Sequence, residues 1–489
     1  MKKVIVIGAG ISGLSAAIYA QRSGFNVTIC EQHSIAGGMC TSWKRKGYLF
    51  EGAVHWLTGS SQKTQLYQVW KETGALNDNV PVLLQEKFST IEWDGKNITL
   101  YRDIKKTARH FLEISPEDKR QIRMLLKDVE AFSGFEMPVT DVKGVTAENP
   151  KRMKMSMLFK MLPAFFKLKK LGKMSSKDYT AQFKHPGIRR LLCVVPGDYT
   201  AVSLIATLST LNTGDGGYPE GGSLAMVERM VKTFYALGGQ LLLKTKVKKV
   251  RIENDIVTGV ILENDILDAD AVIVTQETIA AYEQLFEKPL QDQWLAQMRE
   301  NTKPAVCTFV GIGVRCKLPE PQIPVWKLDE PIIYAGRTET EIGFYNYSEY
   351  KGYSPEGCSA LTTIFMGDTY DFWKKAKEEG RYEEEKKALA DQISRALCKK
   401  YPQAQGNIEV IDIATPLTYE RYTGAYRGSW MSVVGVGDKI KTHPAHSKYV
   451  SGLYFAGHRI MAAGGLPVAV YTGRTAAQLV CLQFNTVFK

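Results

Sequence analysis

A short apolar run that ends in three spaced glycines governs what this chain can fold into. Residues 3–7, Lys-Val-Ile-Val-Ile, are mostly apolar and β-branched, the make-up of a buried parallel strand. Gly8-Ala-Gly10-Ile11-Ser12-Gly13 follows at once, and Leu14, Ala17 and Ile18 then recur at helical spacing as far as Arg22. Gly24 ends that helix, and residues 25–30 read as a second strand that stops at Glu31. Strand, glycine turn, helix and strand make a βαβ unit, which predicts an α/β fold built on a Rossmann-type sheet.

Each glycine has a separate task. Gly8 permits the tight turn, Gly10 lets the backbone approach a pyrophosphate, and Gly13 lets the helix pack against the strand. The helix N terminus at Ile11 and Ser12 adds N–H donors and positive potential. Glu31 stands eighteen residues beyond Gly13. A carboxylate there accepts from a ribose hydroxyl pair and repels a 2′-phosphate, which disfavours NADP. NAD and FAD share such a turn, and the next residues separate them. Gln32, the pair Gly37-Gly38 and Met39 follow so soon that the chain can fold back over an extended dinucleotide, which points to FAD.

Other classes are set aside by composition. The chain has 489 residues with 23% charged and 44% hydrophobic, enough for more than one core. Its eight cysteines show neither C-x-x-C pairs nor zinc spacing, and its seven histidines lack ligand spacing, so no metal is expected. Reduced thiols point to a cytoplasmic protein. Met1-Lys-Lys and the apolar run to Ala20 superficially resemble a signal peptide, but the glycine spacing continues the nucleotide unit, so the mature chain is expected to begin here. No second G-x-G-x-x-G follows a strand, so an external NAD(P)H or other electron donor or acceptor is expected.

The C-terminal stretch has a physical reading of its own. Residues 451–456 read as a strand leading to Gly457 and His458. Gly464, Gly465, Leu466 and Pro467 then open a helix whose N terminus can face the electron-rich edge of an isoalloxazine. In the middle, residues 219–234 read as a glycine-opened helix, 238–243 and 271–275 as strands, and 247–252 with 257–262 as a hairpin.

Together the glycine turn, Glu31, the Gly37-Gly38 doublet and the C-terminal glycine segment resemble the flavin amine oxidase and phytoene desaturase superfamily. Within it, Glu31-Gln32-His33, Gly37-Gly38-Met39-Cys40 and Gly47-Tyr48 through Glu51 to His55 resemble the carotenoid desaturase, carotenoid isomerase and retinol saturase branch. Residues 415–428, Thr-Pro-Leu-Thr-Tyr-Glu-Arg-Tyr-Thr-Gly-Ala-Tyr-Arg-Gly, resemble its saturase and isomerase side. The resemblance implies a backbone contact from Val247 to the adenine end. It also implies a discontinuous FAD-binding domain of residues 1–75, 217–285 and 448–489. An inserted α+β substrate domain would then comprise residues 76–216 and 286–447.

Residues 151–177 interleave lysines with large apolar side chains and contain no acid. On a helical wheel Leu158, Met161, Leu162, Phe165 and Leu168 share one side and Lys160, Lys167 and Lys170 the other, with Pro163 expected to kink or restart the helix. This predicts a basic membrane-facing helix for a protein peripheral on the inner face of the membrane; a helix packed on the substrate domain is the alternative. Much of the net charge of +12 lies here, and without a reading module no nucleic acid is expected.

The implied activity is FAD-dependent saturation, desaturation or isomerisation of carbon–carbon double bonds in a long apolar isoprenoid, carotenoid, retinoid or related lipid. Candidate catalytic residues are His55, Tyr422 and Tyr426, with His458 touching the cofactor and Glu51 fixing the loop backbone. Alternatives are an oxidase acting on a C–N bond and a flavin-binding lipid carrier without turnover.

Overall fold

A computed structural model describes residues 1–152, 155–319, 322–438, 441–462 and 464–489. Met153 and Lys154 of the basic stretch and Ala463 of the C-terminal segment lie outside the described residues. Two sheets organise a mixed α/β fold.

The first sheet is parallel, in the order Leu453–Phe455, Ala271–Val274, Lys3–Ile7, Asn26–Cys30 and Gln240–Leu242. Val4 sits opposite both Val27 and Ala271, and all three are fully buried, as apolar β-branched runs in a two-sided sheet should be. Helix Ile11–Arg22 covers one face and packs along helix Gly465–Gln483. The approach is close because Gly473 has no side chain: a Cβ there would lie 2.3 Å from the Ser12 carbonyl oxygen. Ser15 Oγ donates to the Val470 carbonyl at 2.7 Å across the same seam. The two ends of the chain therefore meet in one layer.

The second sheet has seven strands, ordered Ile408–Ala414, Cys307–Val314, Ser359–Met366, Arg337–Asn346, Gln322–Tyr334, Lys87–Trp93 and Lys96–Tyr101. Neighbours run antiparallel except where Val325 faces Ile91 in a parallel pairing. A helical layer from Ile104–Ile114 to Ala201–Asn212 gathers around Phe111, Leu125, Phe132, Phe183 and Leu204.

The basic stretch differs from its helical-wheel reading in three ways. One helix, Met155–Leu171, runs through Pro163 without restarting. Its buried stripe is Met157, Met161, Ala164 and Leu171, so Met161 turns inward, while Leu158, Leu162 and Phe165 stay outward with Phe159 and Phe166. Lys167 also turns inward, to an ion pair of 2.8 Å with the nearly buried Asp128, a carboxylate that also accepts from the Tyr179 hydroxyl. The helix thus packs through methionines, an alanine and a leucine and exposes its phenylalanines, with Phe166 82% exposed. Among the described residues no helix is long and apolar enough to cross a membrane.

Candidate active site

A cavity of about 1080 Å³ extends from the carboxyl ends of the parallel strands to one face of the antiparallel sheet. Its nucleotide end is made largely of backbone. Gly8, Gly10, Ile11 and Ser12 line it directly. Gly13 lies beneath the turn, where a Cβ would come within 2.0 Å of the Gly8 carbonyl oxygen, so no side chain fits. Gly37, Gly38 and Met39 close over the turn: Gly37 bridges to Gly10, and its N–H donates to the Ala9 carbonyl at 2.9 Å. Gly37 has φ +126°, a conformation that glycine adopts without strain and residues with a Cβ do not.

Glu31 lines this end beside Gln32, but its carboxylate already serves the protein. One oxygen accepts from the Ala9 N–H at 2.7 Å and the other from the His33 N–H at 2.8 Å. The acid therefore braces the glycine turn, and each oxygen keeps a further lone pair for a hydroxyl. Val247 borders the same end, in a segment tied down by the Thr245 N–H donating to the Glu31 carbonyl at 2.8 Å.

Beyond the turn the lining changes. Gly457, His458, Gly465, Leu466 and Pro467 present the start of the C-terminal helix, and the Gly457 N–H is held by Thr472 Oγ1 at 3.0 Å. His55 stacks on Tyr345, with ring centroids 5.3 Å apart and planes 16° from parallel. Five cavity-lining polar atoms are buried without a hydrogen-bond partner among the described residues: His55 Nδ1, His458 Nε2, Tyr199 OH, Thr362 Oγ1 and Trp430 Nε1. Such orphans are costly unless a ligand meets them. Burial holds the His55 imidazole below its ordinary range against a weaker upward pull from Glu51. Burial and the neighbouring Arg459 push His458 further down.

Two devices hold this wall. Glu51 is fully buried; it accepts from the N–H groups of Ala53 at 3.0 Å, Val54 at 3.2 Å and Ser223 at 3.0 Å, from the Tyr218 hydroxyl, and from Ser223 Oγ. It anchors the His55 loop to helix Gly222–Ala236, a wider role than fixing its own loop. Arg459 and Glu277 form an ion pair of 2.7 Å with side chains 1% and 3% exposed, and Arg459 also reaches Ser429 and Ser432. The pair ties the ends of two parallel strands to the segment that carries Trp430.

The late motif departs from expectation. Tyr422 borders the cavity at the Glu31 end, with its ring 5.0 Å from His33, and is 44% exposed. Tyr426 is not among the lining residues; the Arg299 guanidinium covers its ring at 5.1 Å. The backbone explains this. Helix Pro416–Thr423 ends at Gly424 with φ +67°, and Arg427 is itself left-handed at φ 54°, held by Asp368 and Asp371. These two reversals swing Tyr426 outward, and the structure brings neither tyrosine to the His55 wall.

Several residues went unread in the sequence. Glu277 stands just past a parallel strand's carboxyl end, where ligands gather in open α/β sheets, and that rule could have found it. Tyr199, Tyr345 and Trp430 carried no local signal, since each arrives from a distant segment.

The residues present fit a bound flavin dinucleotide: a turn that a Cβ at Gly13 would fill, an acid at its edge, and orphaned donors further along the same cavity. Comparison with known proteins agrees. The chain is 24% identical over 511 residues to a 1-hydroxycarotenoid 3,4-desaturase of Flavobacterium sp. (strain P99-3), covering 98% of this chain and 99% of that protein. It is 24% identical over 507 residues to a phytoene desaturase (lycopene-forming) of Paracoccus sp. (strain N81106 / MBIC 01143), covering 98% and 97%. A solved oxidoreductase from Methanosarcina mazei shares the fold, with a TM-score of 0.60 at 18% identity over 96% of this chain and 98% of that one. Residues 11–481 match the flavin containing amine oxidoreductase model, and the chain belongs to that family.

Proposed function

We propose that this protein is an FAD-dependent oxidoreductase acting on carbon–carbon double bonds of a long apolar isoprenoid of the carotenoid type. The observation that carries this reading is the continuity of the cavity. Past the His55–Tyr345 wall it is lined by Phe88, Ile91, Leu191, Val194, Val195 and Val325, which suit a hydrocarbon chain. The names of the curated relatives point the same way.

In this reading Gly8, Gly10, Ile11 and Ser12 hold the pyrophosphate, and Glu31 and Val247 the adenosine half. His458 and the helix start at Gly465, Leu466 and Pro467 meet the ring. The flavin, when bound, supplies the hydride or electron-pair transfer. The chain orients, desolvates and excludes water: His55, neutral and stacked on Tyr345, forms an uncharged wall against which a polyene can lie flat. Residues 1–75, 217–285 and 448–489 serve as the cofactor domain and the remainder as the substrate domain. An external donor or acceptor completes the redox cycle. The exposed Phe159, Phe166 and Leu162 with Lys160 and Lys170 form a face that rests on an anionic membrane and draws substrate from it.

Anaerobic mixing of the FAD-loaded protein, oxidised or reduced, with linear polyenes tests the reading. A change in the flavin spectrum with a product differing by two hydrogens, or an isomer, is expected. No spectral change and no product in either state would sink it.

A further inference from the structure

Strand Arg337–Asn346 carries a track from the aromatic wall to a charged end. All six residues from Glu339 to Tyr345 other than Thr340 border the cavity, but burial alternates: Ile342 and Phe344 are buried in the core cluster, while Tyr345, Gly343, Glu341 and Glu339 are half-buried on the other face of the strand. Tyr345 stands beside His55. Glu341 lies four residues away, about 13 Å along a strand rising roughly 3.3 Å per residue. Between them the track is apolar: a Cβ on Gly343 would fall 2.8 Å from Val325 Cγ2, so Val325 covers that position, with Ile91 paired beside it.

Helix Pro186–Leu191 and the loop behind it bring Leu191, Val194 and Val195 to the same cavity, and with them Arg190. Arg190 Nε donates to Glu341 Oε2, joining the two walls where the apolar track ends. Glu341 is 19% exposed and Arg190 42%, so the pair is wet on one side and borders hydrocarbon on the other. Nothing in flavin binding needs a carboxylate and a guanidinium at that distance from the nucleotide turn.

We infer that the Arg190–Glu341 pair receives a polar end group, a hydroxyl, on an otherwise apolar substrate, and so sets which bond lies against the His55–Tyr345 wall. A hydroxyl donates to the Glu341 carboxylate and accepts from the Arg190 guanidinium, satisfying both at once. A purely hydrocarbon end would strip water from the pair and return nothing. Because the pair is partly solvated, the expected preference is about tenfold rather than the far larger factors of a sealed site. The inference rests on the apolar-substrate reading above and narrows it to polar-ended chains.

The test is a binding titration on the FAD-loaded protein, read from the flavin absorbance, with a linear polyene and its terminally hydroxylated derivative. The hydroxylated compound should bind about tenfold more tightly, and that ratio should fall towards one in E341L and in R190L. Equal affinities in the unsubstituted protein would overturn the inference, as would a ratio that survives both substitutions. Turnover is scored separately. Polyene turnover with a ratio of one removes the end-group site and leaves the proposed activity standing. A tenfold ratio without turnover does the reverse.

Discussion

The two ends of the cavity are built from different materials. At the nucleotide end the ligand-facing surface is backbone: glycines, a helix N terminus and an acid whose own bonds brace the turn. At the far end it is side chains standing on a sheet face, Tyr345, Val325 and Glu341, met by Leu191 and Arg190 from a separate helix. A backbone surface cannot be retuned residue by residue, because the atoms that bind are the atoms that fold. A side-chain surface can be. The contrast accounts for a family-wide cofactor beside substrates that differ from one relative to another.

If that contrast is right, the harshest way to break it is Gly13→Val. The new side chain would occupy the Gly8 carbonyl, and overpacking of this kind costs about 1–3 kcal/mol before any ligand is considered. The purified variant should carry almost no flavin colour, measured against protein absorbance. Retention of full flavin content would mean that the turn does not cradle it.

Removing a support should cost stability at both ends. Glu51→Ala leaves the Ser223 and Ala53 N–H groups without their acceptor, while the Val54 N–H keeps Ser223 Oγ and the Tyr218 hydroxyl keeps the Tyr353 hydroxyl. With each unsatisfied group worth about 1–3 kcal/mol, a loss of at least about 2 kcal/mol is expected in chemical unfolding, and a smaller one for Glu51→Gln. An unchanged midpoint for Glu51→Ala would show that the network is incidental.

A subtler effect is set by pH. His458 is held well below its ordinary pKa in the folded protein, so below about pH 6.5 the unfolded chain binds a proton that the folded one does not. Stability present above that pH is lost as pH falls, by at most about 1.4 kcal/mol per pH unit from this residue. His458→Gln should flatten that acid slope between about pH 6.5 and 5. An identical slope would place the sensitivity elsewhere, with His55, also lowered, the next residue to replace.

The smallest effect on folding is expected outside the cavity. Phe166→Ser, at a position 82% exposed, should change stability by less than about 0.5 kcal/mol. It should nonetheless weaken cosedimentation with anionic vesicles by about ten- to a hundredfold, in line with roughly 1.5–3 kcal/mol for burying such a side chain. Equal vesicle binding would remove the membrane role from this helix.

Much of the nucleotide end was legible because its signals are local. The run at residues 3–7, the spacing of Gly8, Gly10 and Gly13, and Glu31 lie within one βαβ unit, and each acts through its neighbours in the chain. The glycine doublet and the C-terminal helix start were legible for the same reason. Tyr422 and Tyr426 part company, one at the cavity and one away from it, because the chain turns left-handed at Gly424 between them and again at Arg427, and an arginine at φ 54° leaves no trace in composition.

What the amino-acid sequence determined by itself was the cofactor-binding unit and its place in an α/β fold, since helix and strand periods and glycine geometry are properties of short segments. The tertiary structure alone decided what stands around the substrate. His55 meets Tyr345 from 290 residues away, Arg459 meets Glu277 across two strand ends, and Arg190 meets Glu341 across the cavity. Such pairs form where separate elements are brought together by sheet order and register, and no local pattern in the chain encodes the meeting.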